Sequence, residues 1–139
     1  MLVGSANRRL VPTVMRAIAA RVEADRQHLT LYVADATSAR TLADLRENPR
    51  VAVTLSKVTT YRTMQVKGEV LSITASGDAA AAEYVDRVRN AFAADLERIG
   101  MPGRHTRRLA MLPFHQLRVR VDALFVQTPG PGAGKPLDA

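Results

Sequence analysis

Cysteine is missing from this chain of 139 residues, and so is tryptophan. Without thiols there can be no disulfide, no thiol nucleophile and no cysteine-ligated zinc or iron–sulfur centre. A disulfide-free chain fits a reducing compartment, and a cytoplasmic location is the expectation. Long apolar runs are missing too: none approaches the ~20 residues of a membrane-spanning helix. The N-terminus lacks the basic-then-apolar plan of a signal peptide. Aromatic residues are few, three Tyr and three Phe. The apolar share is 47%, much of it alanine, which is thin filling for a large cavity. Such a composition points to apolar surface completed by a cofactor or by a second subunit.

Lysine is scarce as well, so arginine supplies 17 of the 20 Lys and Arg residues and most of the net charge of +7. A basic chain can mark a nucleic-acid binder. Here the arginines are scattered, and no aromatic residues interleave with them as platforms for stacked bases. A basic nucleic-acid-binding barrel is therefore the weaker reading. An arginine bias also suits phosphate, because the planar guanidinium grips oxyanions through two parallel hydrogen bonds. A chain of this length most simply makes one domain, and it buries roughly two-thirds of its unfolded surface. Residues 1–128 form that domain in this reading. Residues 129–139 form a tail with three Pro and three Gly between Pro129 and Pro136, expected to be irregular and either disordered or laid on a neighbour.

The body of the chain reads as mainly β with helices, an α+β class. A first strand at 2–7 runs into a turn at Asn7-Arg8-Arg9. Residues 10–25 read as one long strand; an amphipathic helix is the rival, against which Pro12 and the β-branched residues weigh. A third strand spans 28–35. A short helix at 37–47 buries Leu42 and Leu45 and stops at Asn48-Pro49. Strands 51–57 and 60–75 form a hairpin. A long helix at 78–99 carries Val85, Val88, Phe92, Leu96 and Ile99 at three- and four-residue spacing, with Gly100 and Pro102 as its stop. A second short helix at 104–111 and a last strand at 114–128 complete the domain.

Two stretches carry candidate chemistry. The short helix opens with Thr37, Ser38 and Arg40, and a helix N-terminus offers free N–H groups and a partial positive charge to a phosphate. An ordinary capped helix with a solvated arginine would carry the same residues. The strand 61-YRTMQVKG-68 alternates, with Thr63, Gln65 and Lys67 on one face and Arg62, Met64 and Val66 on the other. Gln65 and Lys67 either meet solvent or line a polar site. Other signals fail. His28, His105 and His115 have no metal-ligand spacing, so no metal site is expected. No GxSxG elbow exists. The sequence 130-GPGAGK-135 lacks the first glycine and the Ser/Thr of a phosphate loop. Asp35, Asp44 and Glu47 read as surface or capping residues.

The segments 38-SARTLADLRENPRVAV-53, 60-TYRTMQVKGEV-70 and 121-VDALFVQTPGPGAG-134 resemble the flavin-binding split-barrel family, whose best-known members are the pyridoxamine 5′-phosphate oxidases. The likeness covers nearly the whole chain and is strongest to a branch known only as oxidase-like. It implies a split β-barrel homodimer that binds FMN at the subunit interface and transfers hydride to or from a small molecule. A deazaflavin or haem in place of FMN, or a non-catalytic flavin-binding role, is the alternative it leaves. It implies that Thr37, Ser38 and Arg40 hold the flavin phosphate. Thr41 stands where the oxidases commonly have lysine. Gln65 and Lys67 are implied to approach the flavin, with Arg62 as a phosphate candidate from the opposite face. Arg16 or Arg21 is implied to reach the phosphate or ribityl chain. The tryptophan and the Arg–His pair that end the true oxidases have no counterpart, so a pyridoxamine 5′-phosphate site is not expected.

Overall fold

The computed structural model describes residues 1–76, 78–109 and 111–137. Its elements run β1 (Leu2–Ala6), β2 (Pro12–Arg16), β3 (Ala19–Val22), β4 (His28–Ala34), α1 (Asp35–Glu47), β5 (Arg50–Ser56), β6 (Thr63–Ser76), α2 (Ala79–Arg98), α3 (Arg104–Arg107), β7 (Phe114–Val126) and β8 (Pro136–Leu137). One antiparallel sheet takes the order β2-β1-β5-β6-β7-β4-β3, with β8 added to β7. The two edge strands, β2 and β3, are consecutive in the chain and separated only by Ala17 and Ile18. A sheet whose edges are tied so closely must curl, and it forms a split barrel. Helix α1 packs across the split against β1, β2 and β4.

The barrel interior is aliphatic. Val3, Leu31, Val33, Val53, Leu117 and Val119 are its buried centre, and Leu42 and Leu45 of α1 plug it from the side. Each fully buried aliphatic side chain is worth about 1.5–3 kcal/mol. Outside the barrel, α2 lies over β3, β4 and the start of β7, where Tyr32, Phe114 and Val85 form a second cluster. Strand β4 is thus covered on both faces, which is why it is apolar from Leu31 to Ala34, and its one buried polar side chain, Thr30, donates to Glu23.

The long strand expected at 10–25 is two strands at opposite edges of the sheet. The break at Ala17-Ile18 is where the chain passes from one edge of the split to the other, and a single strand could not pair with both β1 and β4. Helix α1 starts at Asp35, two residues earlier than expected. The second short helix closes at Arg107. The tail is not irregular throughout: residues 131–134 turn back and β8 pairs with Leu124 and Phe125. Strand β4 stops pairing at Arg120, so the last turns of β7 have a free edge that the tail fills. The hairpin of β5 and β6, the long helix and the last strand lie where their patterns placed them.

Candidate functional site

Register places one row of residues across the outer face of five strands. Arg16 stands opposite Leu2, Leu2 opposite Thr54, Thr54 opposite Gln65, and Gln65 opposite Phe125. The next row is Val14, Gly4, Ala52, Lys67 and Ala123. Glycine and alanine at the centre of that row leave a shallow trough of about 350 Å³, lined by Gly4, Arg50, Ala52, Lys67 and Gly68. The Nζ of Lys67 sits 4.7 Å from the centre of the Phe125 ring, and Gln65 donates to the Thr54 hydroxyl at 3.3 Å. Gly68 is needed here: β6 shifts register against β7 between Lys67 and Gly68, and a Cβ at Gly68 would run into the Arg120 carbonyl.

A strip of ion pairs bounds the trough. Arg120 bridges Glu69 at 2.8 Å and Asp122 at 3.0 Å, and Arg50 meets Asp122 at 3.3 Å. The hydrogen bonds that Arg120 donates to Asp122 and to Glu69 raise its pKa. Further along, Arg118 donates to both oxygens of Glu23 at 3.1–3.2 Å and holds the Glu23 carboxyl below its usual range. Glu23, Asp25 and His28 bring one ligand-type atom each within 4.8 Å of one another, a grouping that their spacing in sequence did not suggest. Arg118 already neutralises Glu23, and His28 Nδ1 lies 2.7 Å from Asp25. Of the cations on the open face, Arg16 and Lys67 alone form no ion pair among the described residues.

Three of the nine candidate residues therefore share one face: Arg16, Gln65 and Lys67. Arg62 precedes β6 and is exposed, with the parity of Met64 and Val66, so it does not join them. Arg21 is on β3, at the far edge, stacked on Tyr84. The four α1 residues form a separate group. Because α1 begins at Asp35, Thr37 and Ser38 occupy its third and fourth positions. Ser38 and Thr41 are fully buried and their hydroxyls have no hydrogen-bond partner among the described residues, while Thr37 leans back on the Ala34 carbonyl. Arg40 donates to Thr13 at 3.0 Å on β2. The helix start itself holds an anion, since the Asp35 carboxylate lies 2.6 Å from His115 Nδ1. A phosphate there would meet that carboxylate. Asp44 is buried rather than a surface residue, and Ser5 donates to it at 3.5 Å.

Sequence reasoning missed Gly4, Ala52, Thr54 and Phe125 as neighbours of Gln65 and Lys67. Strand alternation could have put each on an outer face, but only the pairing register shows that the faces join.

The curled sheet with a helix in its gap is a split β-barrel, a fold shared with solved proteins of the pyridoxamine 5′-phosphate oxidase-like type. The same fold is found in HupZ from group A Streptococcus, with a TM-score of 0.57 at 13% identity over 96% of this chain and 87% of that one. An F420 reductase matches with a TM-score of 0.53 at 18% identity over 88% and 86%. A candidate pyridoxamine 5′-phosphate oxidase from Lactobacillus delbrueckii matches with a TM-score of 0.54 at 10% identity over 90% and 82%. No protein-family model matches the chain, and no curated protein matches it in sequence.

Proposed function

We propose that this protein binds FMN on the open outer face of β1, β5, β6 and β7 and acts as an oxidoreductase on a small molecule. The observation that carries the reading is the trough itself. Gly4 and Ala52 clear a floor where any larger side chain would stand, Lys67 lines it and Arg16 stands in the next row, neither cation being in an ion pair among the described residues. A planar ring fits such a floor. Lys67 and Gln65 would hold the ring, and the Lys67 ammonium would favour negative charge beside it. Arg16, at the far end of the row, would hold the phosphate. When bound, a flavin supplies the hydride chemistry, while the chain supplies grip, orientation and cover. The shared fold of the F420 reductase and of the Lactobacillus protein supports a flavin-type cofactor, and the former keeps a deazaflavin as the second reading.

The trough is open on one side, and Leu2 and Val14 beside it are 49% and 65% exposed. A second copy related by a two-fold axis would cover both, which is the commonest closed arrangement for such a surface. We read the protein as a cytoplasmic homodimer with two cofactor sites at its interface. The test compares FMN with riboflavin by fluorescence quenching, together with the absorbance spectrum of the purified protein. Tighter binding of FMN by at least tenfold is expected from one charge-assisted phosphate contact of about 1.5–3 kcal/mol. Equal affinity for the two would remove the phosphate site, and no binding of either would remove the cofactor.

A further inference from the structure

Helix α2 starts on the sheet and ends beyond it. Its buried face runs through Ala81, Val85, Ala93 and Leu96, while Phe92 and Ile99 stand exposed beside it. The chain then turns at Gly100 and runs back along the helix. Arg107 meets Glu97 at 3.5 Å, and Met111 is buried with Val85. This return segment shields one side of α2 and turns Met101, Leu109 and Leu112 outward, Leu112 at 61% exposure. Between them stand Arg104 and Arg108, both exposed and in none of the ion pairs among the described residues. No Asp or Glu occurs between Arg98 and Val121. From Val85 to Ile99 the helix rises by roughly 20 Å, so the flank is a strip of apolar and cationic side chains of that length.

Three kinds of surface could cover it. A second copy across a two-fold axis would bring together two strips of the same positive charge, and like charges repel. A nucleic acid would use the arginines but not the Met and Leu side chains, and beside them it would find Phe92 and the His105 imidazole rather than a row of aromatic platforms for successive bases. An anionic bilayer uses both: guanidinium groups settle on the headgroups while the apolar side chains enter the acyl boundary. We infer that this strip docks the protein reversibly on an anionic lipid surface. It shares no residue with the open face of β1, β5 and β6, so lipid contact and cofactor binding are independent.

The test is co-sedimentation with mixed phosphatidylglycerol–phosphatidylcholine vesicles and with pure phosphatidylcholine vesicles at low salt. Binding to the first and not to the second is expected. An arginine at an anionic surface is worth about fivefold in partitioning, so Arg104→Glu with Arg108→Glu should weaken binding by at least roughly 25-fold. Arg9→Glu with Arg46→Glu changes net charge equally at exposed sites elsewhere and should leave most of the binding. Leu109→Ser with Leu112→Ser should weaken binding without altering charge. All six side chains are exposed, and an unchanged circular dichroism melt checks each variant's fold. Failure to bind anionic vesicles, equal loss in the Arg9 and Arg46 control, or full binding by the serine pair would overturn the proposal. So would tighter capture by an unstructured RNA oligomer than by the vesicles.

Discussion

The outer face of the sheet has two halves, and they are built from different side chains. Over β3, β4 and the start of β7 lies α2, and the residues beneath it are large: Tyr32 and Phe114 are fully buried, their rings 5.7 Å apart and edge-on. Over the outer side of β1, β5 and the first half of β6 no helix lies among the described residues, and the side chains are small or polar: Gly4, Ala52, Thr54, Gln65 and Lys67. Between the halves runs the strip of ion pairs from Glu23 and Arg118 to Arg120 and Asp122. The covered half is a completed core. The open half has the outline of a core with its second layer supplied by something else.

The comparison is broken most sharply by truncation on each side. Phe114→Ala should cost about 3–5 kcal/mol of stability, the range for removing a fully buried aromatic side chain. Lys67→Ala should change stability by no more than about 0.5 kcal/mol, as exposed substitutions do. Denaturant unfolding of both variants checks the contrast, and a large loss for Lys67→Ala would mean that the open half is structural.

A smaller effect is expected on the ligand. Lys67→Ala or Arg16→Ala should raise the FMN dissociation constant roughly 10- to 150-fold, the loss of one charged contact of about 1.5–3 kcal/mol. Arg40→Ala is the discriminating partner, because Arg40 belongs to α1 and already holds Thr13. If Arg40→Ala weakens FMN while Arg16→Ala does not, the phosphate sits at the helix and not on the open face. Gly68→Ala tests the seam beneath the trough. Its Cβ would press on the Arg120 backbone, and overpacking of this kind costs about 1–3 kcal/mol. Thermal melts read the loss, and an unaltered melt would show that β6 and β7 can part at the bulge.

The smallest effect belongs to the dividing strip. The Arg118 hydrogen bond lowers the folded pKa of Glu23 below its unfolded value. Its contribution to stability is therefore present above the ordinary glutamate range and disappears as pH falls through the folded pKa. Unfolding midpoints followed through the acid range should fall less steeply in Arg118→Ala than in the parent. Identical slopes would show that solvent screens the pair completely.

Much of the fold was legible because period and punctuation were strong. The long helix α2, the Asn48-Pro49 stop and the alternation from Thr63 to Lys67 lie where the structure has them, while Tyr61 and Arg62 fall before the strand. The candidate site was legible in part. Gln65 and Lys67 were correctly put on one face by parity, but parity does not say what that face meets. Thr37, Ser38 and Arg40 looked like a phosphate cradle because a run of small hydroxyl residues after an apolar strand marks a helix start. The actual start at Asp35 carries its own anion and a histidine from a strand 80 residues away.

What the sequence determined alone is local: the long helix α2, the double-sided burial of β4 written in its apolar run, the absence of thiol chemistry, and the alternation that separates Val66 from Gln65. These follow from the backbone periods of helix and strand, which act over a few residues. What only the tertiary structure decided is which faces join. The break at Ala17-Ile18 sends β2 and β3 to opposite edges, the register sets Arg16, Thr54 and Gln65 in one row, and the gap between edges buries Ser38, Thr41 and Asp44. Each depends on pairing between segments tens of residues apart, and no local preference encodes the partner.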